Sequence, residues 1–204
     1  MLRQRCRAEQ CLTRRSARPP RGQGFAPARR RPAERRLMRR RVSVVLECAS
    51  VPELTVIAAA QIPGAIAARV AESALPPAFV ARRALDQLGQ GKPALWPGLF
   101  YIACGKGGRI VGTCGFKDEA KDGVVEIGYG VSPRHQGRGI ATAAVSEMLR
   151  IAFKNDSTVK VLAEVSAGNL RSTRVVQKLG FAASGSRTDE DNELVVRWFA
   201  RSGD

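Results

Sequence analysis

A glycine-rich turn, Gln136-Gly137-Arg138-Gly139-Ile140-Ala141, constrains this chain more than any other stretch. It follows an apolar, strand-like run from Val124 to Val131. It opens an amphipathic helix in which Ile140, Ala144, Met148 and Ala152 recur every fourth residue, with Val145 and Leu149 beside them. A strand that turns directly into a helix presents unpaired backbone N–H groups at the positive end of a helix dipole. Glycines at such a turn let a ligand approach the main chain with no Cβ in the way. The combination describes a phosphate or pyrophosphate site. It is not a P-loop, because no Gly-Lys-Ser/Thr follows the glycines. A Rossmann dinucleotide site is disfavoured, since the third glycine is missing from Gly137-Arg-Gly139-Ile-Ala-Thr142.

The surrounding pattern is that of a sheet with interspersed helices. Val42 to Glu47 reads as a first strand. Residues 51–91 hold helical stretches broken by Pro63, Pro76 and Pro77, with an amphipathic helix from Phe79 to Leu88. Leu99 to Cys104 and Arg109 to Phe116 read as strands joined by the turn Gly105-Lys-Gly-Gly108. A charged loop, Lys117 to Gly123, leads into the strand Val124 to Val131. Val159 to Val165 alternates as a strand. Asn169 suits an N-cap, and Gly180 suits a helix stop. Phe181 to Ser184 and Leu194 to Phe199 are the last two strands. The fold class is therefore α/β or α+β with a mixed sheet.

A second element sits about 30 residues beyond the turn: Asn169-Leu-Arg-Ser172-Thr-Arg-Val-Val-Gln-Lys178-Leu179-Gly180-Phe181. With this order and spacing the chain resembles the GNAT superfamily of acetyl-CoA-dependent N-acetyltransferases. Gln136-x-x-Gly139-x-Ala141 matches that family's Q/R-x-x-G-x-G/A signature. Arg134-x-x-Gly137-x-Gly139 fits it in another register, but Gln136 lies at the usual distance past Val131. Asn169-x-x-Ser172 followed by Lys178-Leu-Gly-Phe181 is similar to the ribosomal-protein-acetyltransferase-like branch. The resemblance spans about Val42 to Arg197. It implies a mostly antiparallel mixed sheet of six to seven strands flanked by helices, over a domain of residues 42–204. It also implies transfer of acetyl from acetyl-CoA to a primary amine, by direct attack in a ternary complex. The amine would belong to a protein N-terminus or a small molecule, and the enzyme would be a monomer or homodimer.

Such a transfer needs a held cofactor, a deprotonated amine, a stabilised oxyanion and a leaving thiolate. The resemblance assigns the pyrophosphate to the backbone of Gly137, Arg138, Gly139, Ile140, Ala141 and Thr142, after Gln136. Arg134 and Arg138 either pair with phosphates or are solvated surface charge. The backbone N–H of Val131 is the implied oxyanion donor. Glu126 is the candidate base: along its strand it shares a face with Gly128 and Gly130, opposite Ile127, Tyr129 and Val131. Many family members carry a tyrosine where this chain has Val176, so Ser172 takes the place of the acid or of a hydrogen bond to sulfur. Asn169 either caps its helix or also bonds the pantetheine arm. The missing tyrosine keeps a second reading open, an acetyl-CoA-binding sensor or scaffold without transfer activity. The acceptor pocket is expected from residues 51–91 and the loop Ser186 to Asn192, whose Asp189, Glu190 and Asp191 either attract a cationic amine or are solvated.

Charge is concentrated outside that domain. Residues 1–41 hold fifteen arginines against Glu9 and Glu34, so they carry most of the chain's net charge of +16. Rich in Arg, Pro, Ala and Gly, the segment lacks apolar periodicity and reads as a disordered tail. It binds nucleic acid or an acidic surface, or targets an organelle, or precedes a true start at Met38. Nucleic acid is a partner only through this tail. No apolar segment after the basic start suggests a secretory signal, and Val51 to Ala71 carries Glu53, Gln61, Pro63 and Arg69, which argues against a membrane span. The expectation is a cytoplasmic protein. Five cysteines without a CxxC pair point to reduced thiols, with Cys48, Cys104 and Cys114 buried. One histidine and no Cys/His cluster give no expected metal site.

Overall fold

The structure is a computed structural model that describes residues 42–155, 158–190 and 192–202. The arginine-rich segment 1–41, with Met38, Cys6 and Cys11, lies outside the described residues, as does Asp191.

Seven strands form one sheet: β1 (Val44–Cys48), β2 (Leu99–Cys104), β3 (Arg109–Phe116), β4 (Val124–Val131), β5 (Lys160–Ser166), β6 (Ala182–Thr188) and β7 (Leu194–Arg201). Their spatial order is β1-β2-β3-β4-β5-β7-β6. Every neighbouring pair is antiparallel except β4–β5. A parallel pair needs a long crossover, and helix α3 (Ile140–Ala152) supplies it.

Helices cover both faces. α1 (Val51–Ala58) starts with a capping box in which Glu53 Oε2 accepts from the Ser50 N–H at 2.8 Å, and the Ser50 side chain accepts in return from the Glu53 N–H. α1 and α2 (Ala78–Gly89) bury Leu54, Ile57, Ala81 and Ala84 against Leu99, Tyr101 and Ile110. On the other face α3 buries Ile140, Ala144, Val145, Met148 and Ala152 against Phe100, Ile102, Val111, Val125, Ile127 and Val161. That is the apolar stripe read from the sequence. α4 (Leu170–Lys178) joins this layer through Val176. It begins where Asn169 Oδ1 accepts the Ser172 N–H at 3.0 Å.

The register of β4 creates an opening in the sheet. Its ladder with β5 runs only from Val124↔Lys160 to Ile127↔Ala163. From Gly128 to Val131 the strand has left β5, which continues against β7 as far as Ser166↔Val195. On the β3 side the Ser132 N–H donates to the Val111 carbonyl at 2.8 Å. By the alternation of an antiparallel ladder, the Val131 amide then faces away from β3, into the gap.

Three expectations need correction. The sixth strand extends past Ser184 to Thr188, so Ser186 to Thr188 belong to β6 and the connection to β7 is shorter than read. This edge strand is exposed along its length, so no apolar alternation marks it. Val42 precedes β1, and β5 begins at Lys160 and not at Val159. Of the described cysteines only Cys114 is buried, while Cys48 is exposed. Burial pushes the Cys114 thiol up to about 12.

Candidate functional site

The turn after β4 is built to leave donors free. Gly137 and Gly139 hold φ of +74° and +83°, left-handed values that cost a residue with a Cβ. α3 has no side-chain cap, and the Ala143 N–H, to the Gly139 carbonyl, continues the helical bonding. The amides of Ile140, Ala141 and Thr142 precede it, at the end of the helix that attracts anions.

These residues line a cleft of about 600 Å³. Gly137, Gly139, Ile140, Ala141 and Thr142 form one wall, and Asn169 and Ser172 belong to the opposite wall on α4. Val131 lines it too. Gln136 also lines it, but its side chain is occupied: its Nε2 donates to the Val131 carbonyl at 2.8 Å, and its Oε1 accepts from Arg171 at 2.6 Å. The signature glutamine therefore ties the strand end to α4. Arg138 stands in the same turn without lining the cleft. Arg134 reaches Glu72 at 3.5 Å on the surface. The cations that line the cleft come instead from α4: Arg171, Arg174 and Lys178. Their spacing along one helix face was visible in the sequence, but which face meets the turn was not.

A second cleft, of about 390 Å³, opens on the other side of the splayed strand. Thr113 and Gly115 of β3, Lys117 just after it, and Gly128 and Gly130 of β4 line it. Pro76, Pro77, Phe79, Val80 and Arg83 supply its wall, with Pro97 and Leu99 at one end. From the stretch 51–91, the lining residues fall between Ser73 and Ala84. The residues 186–190 do not line it, and Asp189 instead accepts the Glu193 N–H at 2.8 Å inside its own turn.

Glu126 lies on the same sheet face as Gly128 and Gly130, since Val125 and Ile127 are buried in the α3 layer. Its carboxylate is ion-paired with Lys117, whose side chain lines the second cleft. Glu126 itself stands just beyond the lining. The two clefts share Tyr129, Gly130 and Val131 and so meet at the end of β4.

Two residues carry more of this geometry than the sequence reading assigned them. Tyr129 donates its hydroxyl to the Ser172 carbonyl at 3.4 Å, which joins β4 to the first turn of α4 across the gap. Burial pushes its phenol up from the ordinary tyrosine value, and the Ser172 bond opposes this. Gly112 faces Val131 so closely that a β-carbon there would stand 2.2 Å from the Gly130 carbonyl oxygen. Only the paired register reveals that crowding.

Among the described residues, no group of three or more His, Cys, Asp or Glu side chains is arranged to hold a metal ion. No described helix is long and apolar enough to cross a membrane.

Comparison with known proteins finds that residues 69–182 match the family model for the acetyltransferase (GNAT) domain. Among curated relatives, the uncharacterized N-acetyltransferase p20 of Bacillus licheniformis is 30% identical over 91 residues, 44% of this chain and 51% of the relative. The uncharacterized N-acetyltransferase YjdG of Bacillus subtilis (strain 168) is 30% identical over 74 residues, 36% of this chain and 44% of the relative. The chain thus spans about half the length of the curated relatives it matches. Among solved structures, the ribosomal-protein-S5-alanine acetyltransferase of Vibrio fischeri superposes with a TM-score of 0.58 at 19% identity, covering 78% of this chain and 93% of that one. At that identity the likeness is one of fold.

Proposed function

The chain belongs to the GNAT acetyltransferase family, and from that premise we propose that it is an acetyl-CoA-dependent N-acetyltransferase acting on a primary amine of a small molecule or protein N-terminus. The observation that carries the reading is the meeting of two clefts on Tyr129, Gly130 and Val131. One cleft offers free helix-start amides and the cations of α4, which fit a pyrophosphate and a further phosphate. The other is an apolar pocket of ligand size. A ligand reaching along each would bring its end to the same point, as direct transfer in a ternary complex requires.

Acetyl-CoA supplies an acyl group activated as a thioester. The residues of the chain do the rest. Gly137 to Thr142 hold the pyrophosphate with backbone N–H groups, and Arg171, Arg174 and Lys178 balance the remaining negative charge. The Val131 N–H, facing the gap, stabilises the oxygen on which negative charge gathers. As the amine nitrogen bonds to the acetyl carbon, the carbon–sulfur bond breaks. The amine loses its proton to Glu126 through water, and the Ser172 hydroxyl hydrogen-bonds the departing sulfur. Tyr129 keeps Ser172 in place through the backbone of α4.

Calorimetric titration of acetyl-CoA into the full chain, followed by free-thiol release with a panel of amines, tests this. The expected result is a dissociation constant of about 1–100 μM and amine-dependent thiol release. The absence of acetyl-CoA binding would sink the proposal. Binding without thiol release from any amine would replace it with a non-transferring acetyl-CoA module.

A further inference from the structure

The second cleft has a charge character that its position alone does not dictate. Its walls are mostly apolar, with Pro76, Pro77, Phe79, Val80 and Leu99 among them. Its charged lining residues are Arg83 and Lys117, and no described Asp or Glu lines it. Lys117 is compensated by its ion pair with Glu126. Arg83 is not compensated: among the described residues it makes no ion pair or hydrogen bond. It is only half-exposed and projects from α2, the wall opposite the end of β4. A guanidinium with five donors, in an apolar pocket with no partner, is a poor use of a charge unless a ligand completes it.

Resting on the acetyltransferase reading above, we infer that the acceptor is an amine with an apolar body that carries an anionic group, a carboxylate or a phosphate, bound by Arg83. Polycationic amines are disfavoured for the same reason. A second ammonium in this cleft meets a guanidinium and finds no lining carboxylate. The positive field also helps the chemistry, because it favours the neutral amine over the ammonium, and only the neutral form has the lone pair that attacks. The apolar wall takes the body of the acceptor, and Arg83 orients it by a forked contact that suits carboxylate and phosphate alike.

A matched set of benzylamines separates charge from shape. The para substituent is carboxylate, phosphonate, methyl or amidinium, and spermidine is added as a polycation. Thiol release with acetyl-CoA and calorimetric binding in the presence of CoA are measured for each on the full chain. The anionic members are expected to exceed the methyl compound by about tenfold or more in kcat/KM, with the amidinium and spermidine below it. The carboxylate and phosphonate arms tell which anion is preferred. Arg83→Gln is expected to remove the preference and Arg83→Glu to reverse it, with acetyl-CoA affinity unchanged. Equal use of all four benzylamines, or preference for the cationic ones, overturns the inference and leaves the transferase reading standing. Anion-selective binding with no thiol release from any amine supports the cleft's charge selection while the transferase reading fails. The unmodified protein carries the test by itself should either Arg83 variant fold poorly.

Discussion

Glu126 and Gly112 show how differently single residues declare themselves. Glu126 stands out in the sequence because it shares a strand face with two glycines ahead of the turn. Its replacement by Gln keeps size and removes the proposed base. The expected outcome is a fall in kcat of about 100-fold with acetyl-CoA affinity unchanged, read by steady-state thiol release and calorimetry. A loss of affinity instead would assign Glu126 a binding role. Gly112 has no sequence signal, since a glycine in a strand is ordinary until its neighbour is known. Gly112→Ala forces a β-carbon into the Gly130 carbonyl, at the strand end both clefts share. It should cost about 2 kcal/mol in denaturant unfolding. The survivors should lose about 100-fold in kcat/KM, because strand atoms moved by an ångström misalign both ligands. The Tyr129 bond to Ser172 was equally hidden: the residues are far apart in sequence, and only the splay of β4 brings the phenol to α4.

The elements were easier to read than the contacts between them. α3 carries an unbroken apolar stripe, and a stripe of that period has one way to pack on a sheet. The start of α4 was legible for the same kind of local reason, since Asn169 caps it through a bond to a residue three positions on. Asn169→Ala should lower the melting temperature by about 2–4 °C, while Asn169→Asp, an equally good cap, should not. If both variants also weaken acetyl-CoA binding, the amide of Asn169 serves the cofactor as well as the helix. The full length of β6 has no local signal, because an exposed edge strand with Ser, Gly, Arg and Thr has no apolar face and carries its glycine, Gly185, inside the strand. Its pairing with β7 is a long-range fact.

At the scale of the molecule, the sheet beyond the splay is held by a buried charge. The Glu164 side chain on β5 is 7% exposed, and both its oxygens bond Arg187 of β6, at 2.7 Å from Nε, with Arg197 of β7 nearby. The Arg187 bond is the main reason its carboxyl stays below the ordinary glutamate value. A depressed carboxylate contributes stability above its unfolded value of about 4.3 and loses it as pH falls through the lower folded value. Glu164→Gln should therefore cost about 1 kcal/mol at neutral pH, a modest figure because the arginines are half-exposed. The gap to the unmodified protein should close below about pH 4 in urea titrations at several pH values. A gap that persists in acid would mean that packing, and not charge, carries the contribution of Glu164. By itself, the sequence determined what depends on near neighbours: the strand–turn–helix unit at Gln136, the stripe on α3, the cap at Asn169 and the resemblance these motifs bear. Backbone sterics and periodicity act over a few residues, so they are written locally. Only the tertiary structure decided that β4 leaves β5 after Ile127, that α4 supplies the cations of the first cleft, and that Arg83 stands uncompensated among the described residues in the second. Those follow from register and from which helix face meets which strand, and both are set by packing across the whole chain.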